Sequence, residues 1–126
     1  MLVLAGLGLA ASARAMDRWA ALAMIESGKC DRAIGRAGEI SRFQIKPRLW
    51  PGGNPQDPEA ALAVAQSIMR ERLNVFRHTH NRPPTDFDFY VLWNAPSKVD
   101  RPRGTIAERA RRFANLVQRR NFAASL

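Results

Sequence analysis

The stretch "RWAALAMIESGKC", residues 18–30, carries a single carboxylate on an otherwise apolar helical run. A helix turns about 100° per residue, so Glu26 shares a face with Trp19, Leu22 and Ala23. A carboxylate aimed where the core points is poorly solvated, and desolvation disfavours its charged form. The run stops at Ser27-Gly28, where the end of a helix adds partial negative charge. Both effects raise the pKa. A carboxyl group that keeps its proton near neutral pH can donate it to a leaving oxygen, the work of a general acid. The competing reading is a solvated helix-end glutamate, or an ion pair with Lys29 or Arg32.

Other reactive side chains are sparse. Glu39 lies thirteen residues after Glu26, where its ordinary role would be to neutralise Arg36 or Arg42. Tyr90 precedes Asn94 by one helical turn, so the two share a face. For Gln44 and Asn94, hydrogen bonds to loops and caps compete with a role in a site. His78 and His80 have metal-compatible chemistry, but two ligands do not make a site. Cys30 is the only cysteine, which excludes an internal disulfide and a cysteine-based zinc centre. "GRAGE" follows no strand and lacks the lysine of a phosphate loop. No metal and no cofactor is expected.

The elements that must position these residues read as helices. Residues 16–27 form the first, with Asp17 in its first turn and Gly28 as its stop. Residues 28–53 are glycine-punctuated and irregular, and "EISRFQI" within them reads equally as a short strand or a helical turn. Residues 58–77 give the clearest helix, with Asp57 as N-cap and Pro58 at the first position. Its apolar stripe is Leu62, Ala65, Met69, Leu73 and Phe76, and it is assigned no chemistry. Residues 78–85 form a connector. Thr85 and Asp88 then make a capping-box pair, so "DFDFYVLWN" is expected to be helical, with a strand as the alternative. Thr105 and Glu108 repeat that pattern at the last helix. There Ile106, Ala110, Phe113 and Val117 face the core, and Arg109, Arg111, Arg112, Arg119 and Arg120 largely face away. The sum is a mainly α single domain with one irregular or β-containing central segment.

With 126 residues there is room for one core, and a formal net charge of +9 favours anionic partners. "MLVLAGLGLA" followed by "ASARA" has the pattern of a secretory signal over residues 1–15, leaving 16–126 as the mature domain. The apolar run is too short to span a bilayer. No nucleic-acid recognition motif accompanies the basic last helix.

Three motifs in order, "AMIES", "GEISRFQIKPRLW" and "YVLWNAP", resemble the lytic transglycosylase and goose-type lysozyme-like family. The likeness covers about residues 18–118. It departs from the family in Trp93-Asn94-Ala95-Pro96, where the usual tail reads Tyr-Asn-Ala-Gly, and in "SRFQ". The resemblance implies a lysozyme-like α domain acting on the β-1,4 link of peptidoglycan; the signal pattern adds export to the periplasm or beyond, and a monomer is expected. With no recognition motif and no spanning run, no nucleic-acid partner and no stable membrane insertion after signal removal are expected. Glu26 then matches the family acid and acts afterwards as base. Ser27, Phe43, Gln44, Tyr90, Trp93 and Asn94 would contact substrate or orient the acid. Glu39 would be a second carboxylate positioning water if the reaction were hydrolysis. A catalytically inactive, wall-binding descendant is the remaining alternative.

Overall fold

The computed structural model describes residues 17–125, with side chains as far as residue 118. The expected signal segment, Met16, and the side chains of Arg119 and Arg120 lie outside the described residues. The described chain is mainly helical, with four α-helices: α1 (Arg18–Ser27), α2 (Pro58–His80), α3 (Asp86–Asn94) and α4 (Gly104–Ser125). Short 3-10 turns at Pro47–Leu49 and Pro96–Lys98 interrupt the connections. No described helix is long and apolar enough to cross a membrane.

The third helix is the centre of the molecule. Phe89, Tyr90, Val91, Leu92 and Trp93 are consecutive and all buried. A helix that is apolar all round has to be enclosed. Helix α4 covers most of α3, α2 packs against it as well, and α1 leans on α4. From α4 come Ala110, Phe113 and Val117, and Phe113 lies parallel to Phe89 at 5.7 Å. Each large apolar side chain so buried contributes about 1.5–3 kcal/mol.

Both ends of α3 are secured by polar groups. At its start the Thr85 hydroxyl accepts from the Asp88 N–H at 3.1 Å, and Asp88 Oδ2 accepts from the Thr85 N–H at 2.9 Å. The capping box read from the sequence therefore forms, and it settles the helix-or-strand alternative. Arg82 adds an ion pair to the same oxygen at 2.8 Å. At the far end Arg72 Nη1 donates to the carbonyls of Leu92 and Trp93, both at 2.9 Å. A cation there also meets the negative end of the helix dipole.

Several boundaries differ from expectation. Asp17 is the N-cap of α1, accepting from the Ala20 N–H at 2.9 Å, and not a first-turn residue. Helix α2 continues through His78, Thr79 and His80, because Asn81 adopts the left-handed conformation (φ +53°) that closes it. Helix α4 begins at Gly104, so Thr105 lies in its first turn and is not the cap. Gly28 ends α1 as expected, at φ +66°, with its N–H on Met24.

The central segment is neither strand nor helical turn. Ile40 makes isolated antiparallel bridges to Ile34 and Ile45, with no named strand among the described residues. Helical phase has no hold on such a segment; two side chains fix it instead. The Ser27 hydroxyl donates to the Arg42 carbonyl at 2.8 Å and accepts from the Cys30 N–H at 3.0 Å. The Phe43 ring is buried edge-on between Trp19 and Trp93, with centroids 6.1 and 6.5 Å away.

Burial pushes the Asp88 carboxyl up, but the Arg82 guanidinium and the Thr85 bonds outweigh it and hold the group below the usual aspartate range. A depressed carboxyl stabilises the fold above its unfolded pKa, and that contribution is lost as pH falls through the folded pKa. Asp88→Asn should therefore cost about 1–2 kcal/mol at neutral pH. In urea melts its deficit against wild type should shrink as the pH drops below the ordinary aspartate range.

Candidate active site

Glu26 leaves the core face of α1 between buried Leu22 and Ala23 on one side and an open cavity of about 390 Å³ on the other. It is half-buried. The cavity is walled by Glu26 from α1, Trp93 and Asn94 from α3, Ile68 and Arg72 from α2, Arg109 from α4, and the segment from Gly35 to Leu49. All four helices and the irregular segment thus meet at one opening.

Tyr90 organises the acid. Its ring has no exposed surface and stands tilted against Phe113 at 5.7 Å. Its hydroxyl donates to Glu26 Oε1 at 3.1 Å, and Asn94 Nδ2, one turn on, donates to that hydroxyl at 3.5 Å. Burial pushes the Glu26 carboxyl above its ordinary value. The Tyr90 hydroxyl, the Arg109 charge and the Asn94 amide pull it down, while the Glu39 charge pushes it up; the net shift is upward. The Tyr90 hydroxyl is itself pushed well up, first by burial and then by the Glu26 charge, so it remains a donor. No ion pair of Glu26 with Lys29 or Arg32 forms among the described residues. Helical phase put Glu26 on the face of Trp19, Leu22 and Ala23, and the side chain stands there half-buried at the cavity wall.

The remaining expected site residues divide into two groups. Gln44, Glu39, Trp93 and Asn94 line the cavity with Glu26. Gln44, at φ +53°, fixes its amide by donating to the carbonyls of Ser41 at 2.9 Å and Ala33 at 3.3 Å. Glu39 pairs with neither Arg36 nor Arg42: its Oε1 accepts from the Ala37 N–H at 2.9 Å, and Arg42 is held by Asp31 at 2.7 Å. Gly35 makes this packing possible, because a Cβ there would lie 2.5 Å from both Gln44 Oε1 and Glu39 Oε1.

Ser27 and Phe43 do not line the cavity, contrary to expectation. The serine hydroxyl is spent on backbone groups and the phenylalanine is core. Both act by fixing the segment that carries Gln44. Tyr90 likewise works through Glu26 and not by surface contact.

Four cations of the cavity wall were not foreseen as site residues: Arg36 and Lys46 on the irregular segment, and Arg72 and Arg109 on helices. Arg109, expected to face away, and Arg72, on a helix assigned no chemistry, both line the cavity. A signal was present: Arg72 lies three after Met69 and four before Phe76, and Arg109 stands in the same relation to Ile106 and Phe113. Each is a cation at a spacing that belongs to the apolar stripe.

The two histidines do not converge. His80 Nε2 meets Asp100 Oδ1 at 2.6 Å, while His78 bonds the Asn74 carbonyl. No group of three or more potential metal ligands occurs among the described residues. Comparison of the chain with models of protein families, with curated proteins and with solved structures finds no match, so the family resemblance rests on this chain's own motifs.

The signs of the Glu26 shift are testable by carboxyl carbon NMR titration. Tyr90→Phe and Arg109→Gln each remove a group that favours the ionised form, so each should raise the Glu26 pKa further. Glu39→Gln removes a like charge and should lower it. No movement in any of the three would overturn this arrangement.

Proposed function

We propose that the chain is a peptidoglycan-cleaving lytic transglycosylase with Glu26 as its acid and base. The observation that carries this reading is Glu26 itself: a half-buried carboxyl in the wall of an open cavity, gripped by the hydroxyl of a wholly buried tyrosine, with its proton affinity raised. The motif resemblance supplies the substrate, the link between N-acetylmuramic acid and N-acetylglucosamine. On the same reading the protein works outside the cytoplasm, where that polymer lies.

The chemistry needs one acid. Protonated Glu26 gives its proton to the glycosidic oxygen as the bond from the anomeric carbon breaks. The resulting carboxylate then takes the proton of the muramyl C6 hydroxyl while that oxygen closes on the anomeric carbon. Glu26 ends protonated as it began, and no water is consumed. Burial serves the first half by favouring the protonated form that the acid needs. Tyr90 serves the second half, because its bond favours the carboxylate and holds Oε1 in place.

Glu39 supports a second reading. It lines the same cavity, its charge is felt by Glu26, and it enters no ion pair among the described residues. Two carboxylates flanking one glycosidic bond can instead direct water to the anomeric carbon, giving hydrolysis.

Muropeptide release from purified cell wall tests both. Glu26→Gln should lower turnover by about 10²–10⁴-fold. Products one water lighter than those of a lysozyme, with Glu39→Gln still active, fit the single-acid route. Hydrated products lost in Glu39→Gln select the hydrolase. Full activity in Glu26→Gln sinks both. A companion effect needs no substrate. The raised Glu26 pKa contributes stability at low pH that is lost as pH rises through it. Glu26→Gln, neutral throughout, should thus melt above wild type at pH 7, with the gap closing toward pH 4.

A further inference from the structure

The wall of the cavity is more basic than the proposed cleavage requires. Arg36, Lys46, Arg72 and Arg109 line it against only Glu26 and Glu39. Among the described arginines only three pair with carboxylates, Arg18 with Asp86, Arg42 with Asp31 and Arg82 with Asp88, and all three lie outside the cavity. The four cavity cations enter no ion pair among the described residues.

Arg72 is the most constrained of them. Its guanidinium is half-buried, and its Nη1 is fixed by two carbonyls at the end of α3, one residue before Asn94. No other nitrogen of that group has a hydrogen-bond partner among the described residues. Burial first, and then the neighbouring Arg48 charge, pull its proton affinity down against the upward pull of the Glu71 charge. A guanidinium held rigid with an open edge is pre-organised for a planar, bidentate anion. Taking a cation partly out of water without an anionic partner costs free energy, which a bound carboxylate would recover.

The geometry points to a carboxylate of the substrate, clamped by Arg72 with Lys46, Arg36 and Arg109 around it, as the feature that seats the glycan beside Glu26. This rests on the glycan-cleaving reading of the site and adds to it a requirement for a charged ligand. A neutral chitin chain has the same β-1,4 backbone and lacks the carboxylate, so the clamp would discriminate against it. Two parts of a wall polymer offer such a group: the lactyl ether of a peptide-free muramyl residue, and the acidic residues of an attached peptide. The two share one chemistry at the clamp.

The test is calorimetric binding to full-length Glu26→Gln protein, in which turnover is expected to be slowed about 10²–10⁴-fold. Three probes are compared: chitotetraose, a peptide-free GlcNAc–MurNAc tetrasaccharide, and the same tetrasaccharide carrying its peptides. The clamp requires at least one carboxylate-bearing probe to bind about tenfold tighter than chitotetraose. That advantage should shrink in added salt. It should also shrink in Lys46→Gln and Arg36→Gln, which change exposed side chains only, and in Arg72→Lys, which keeps a cation at the end of α3 but loses the fork. Preference for the peptide-free probe assigns the lactyl group; preference for the peptide-bearing probe alone assigns the peptide. Equal affinity for all three probes, or a preference indifferent to every variant, overturns the clamp. Wall turnover by the wild-type protein, measured alongside, separates the failures. Turnover without preference removes the clamp alone. An arginine-dependent preference without turnover keeps the clamp and removes the enzymatic reading.

Discussion

The burial of α3 on every side is the constraint from which the rest of the structure follows. Five consecutive side chains, Phe89 to Trp93, leave no face for water. Such a segment needs cover all round, and three helices and an irregular strap supply it. Enclosure brings Tyr90 with it, and a buried phenol must find a hydrogen-bond partner. The partner is Glu26, on a helix 64 residues earlier in the chain. One demand therefore produces both the core and the polar contact at its edge. The site is where the core helix meets the opening.

Polar groups are arranged to serve that enclosure. Asp88 and Arg82 close the start of α3, Arg72 closes its end, and Arg18 ties α1 to Asp86 at the entrance of the same helix. Most of these contacts are partly exposed, where a single ion pair contributes roughly 0–1 kcal/mol. Their effect is on position more than on stability. Fixing α3 along its axis fixes where Tyr90 and Asn94 stand relative to Glu26.

The irregular segment is held by different means. Ser41 and Gln44 both adopt positive φ, and the Ser41 hydroxyl is buried without a partner. Each such residue costs on the order of 1 kcal/mol or more, so the segment is not a local minimum of its own sequence. The wedge of Phe43 between two tryptophans and the Ser27 bridge to Arg42 impose it from outside. Strain of this kind collects where side chains must be aimed, and the side chain aimed here is Gln44. That is also why Ser27 and Phe43 read as contact residues in the sequence and prove to be supports: motif spacing reports that a residue matters, not which way it points.

Helical phase was legible from the sequence alone. It gave the four helices, the capping box at Thr85 and Asp88, the apolar stripes, and Glu26 on the core face of α1. Those properties depend on neighbours three and four residues apart, which a linear chain displays. Phase even marked Arg72 and Arg109, since each stands at stripe spacing. The sequence could not say whether such a cation snorkels to solvent or lines a cavity, because a long side chain on a stripe can do either. That choice needed the opposing surfaces. Only the tertiary structure brought α1, α2, α3, α4 and the strap to one opening, put the exposed Arg109 in its wall, and placed Glu39 beside Gln44 instead of on an arginine. Periodicity carries information along a helix, but a site is made between elements, where sequence distance has no meaning.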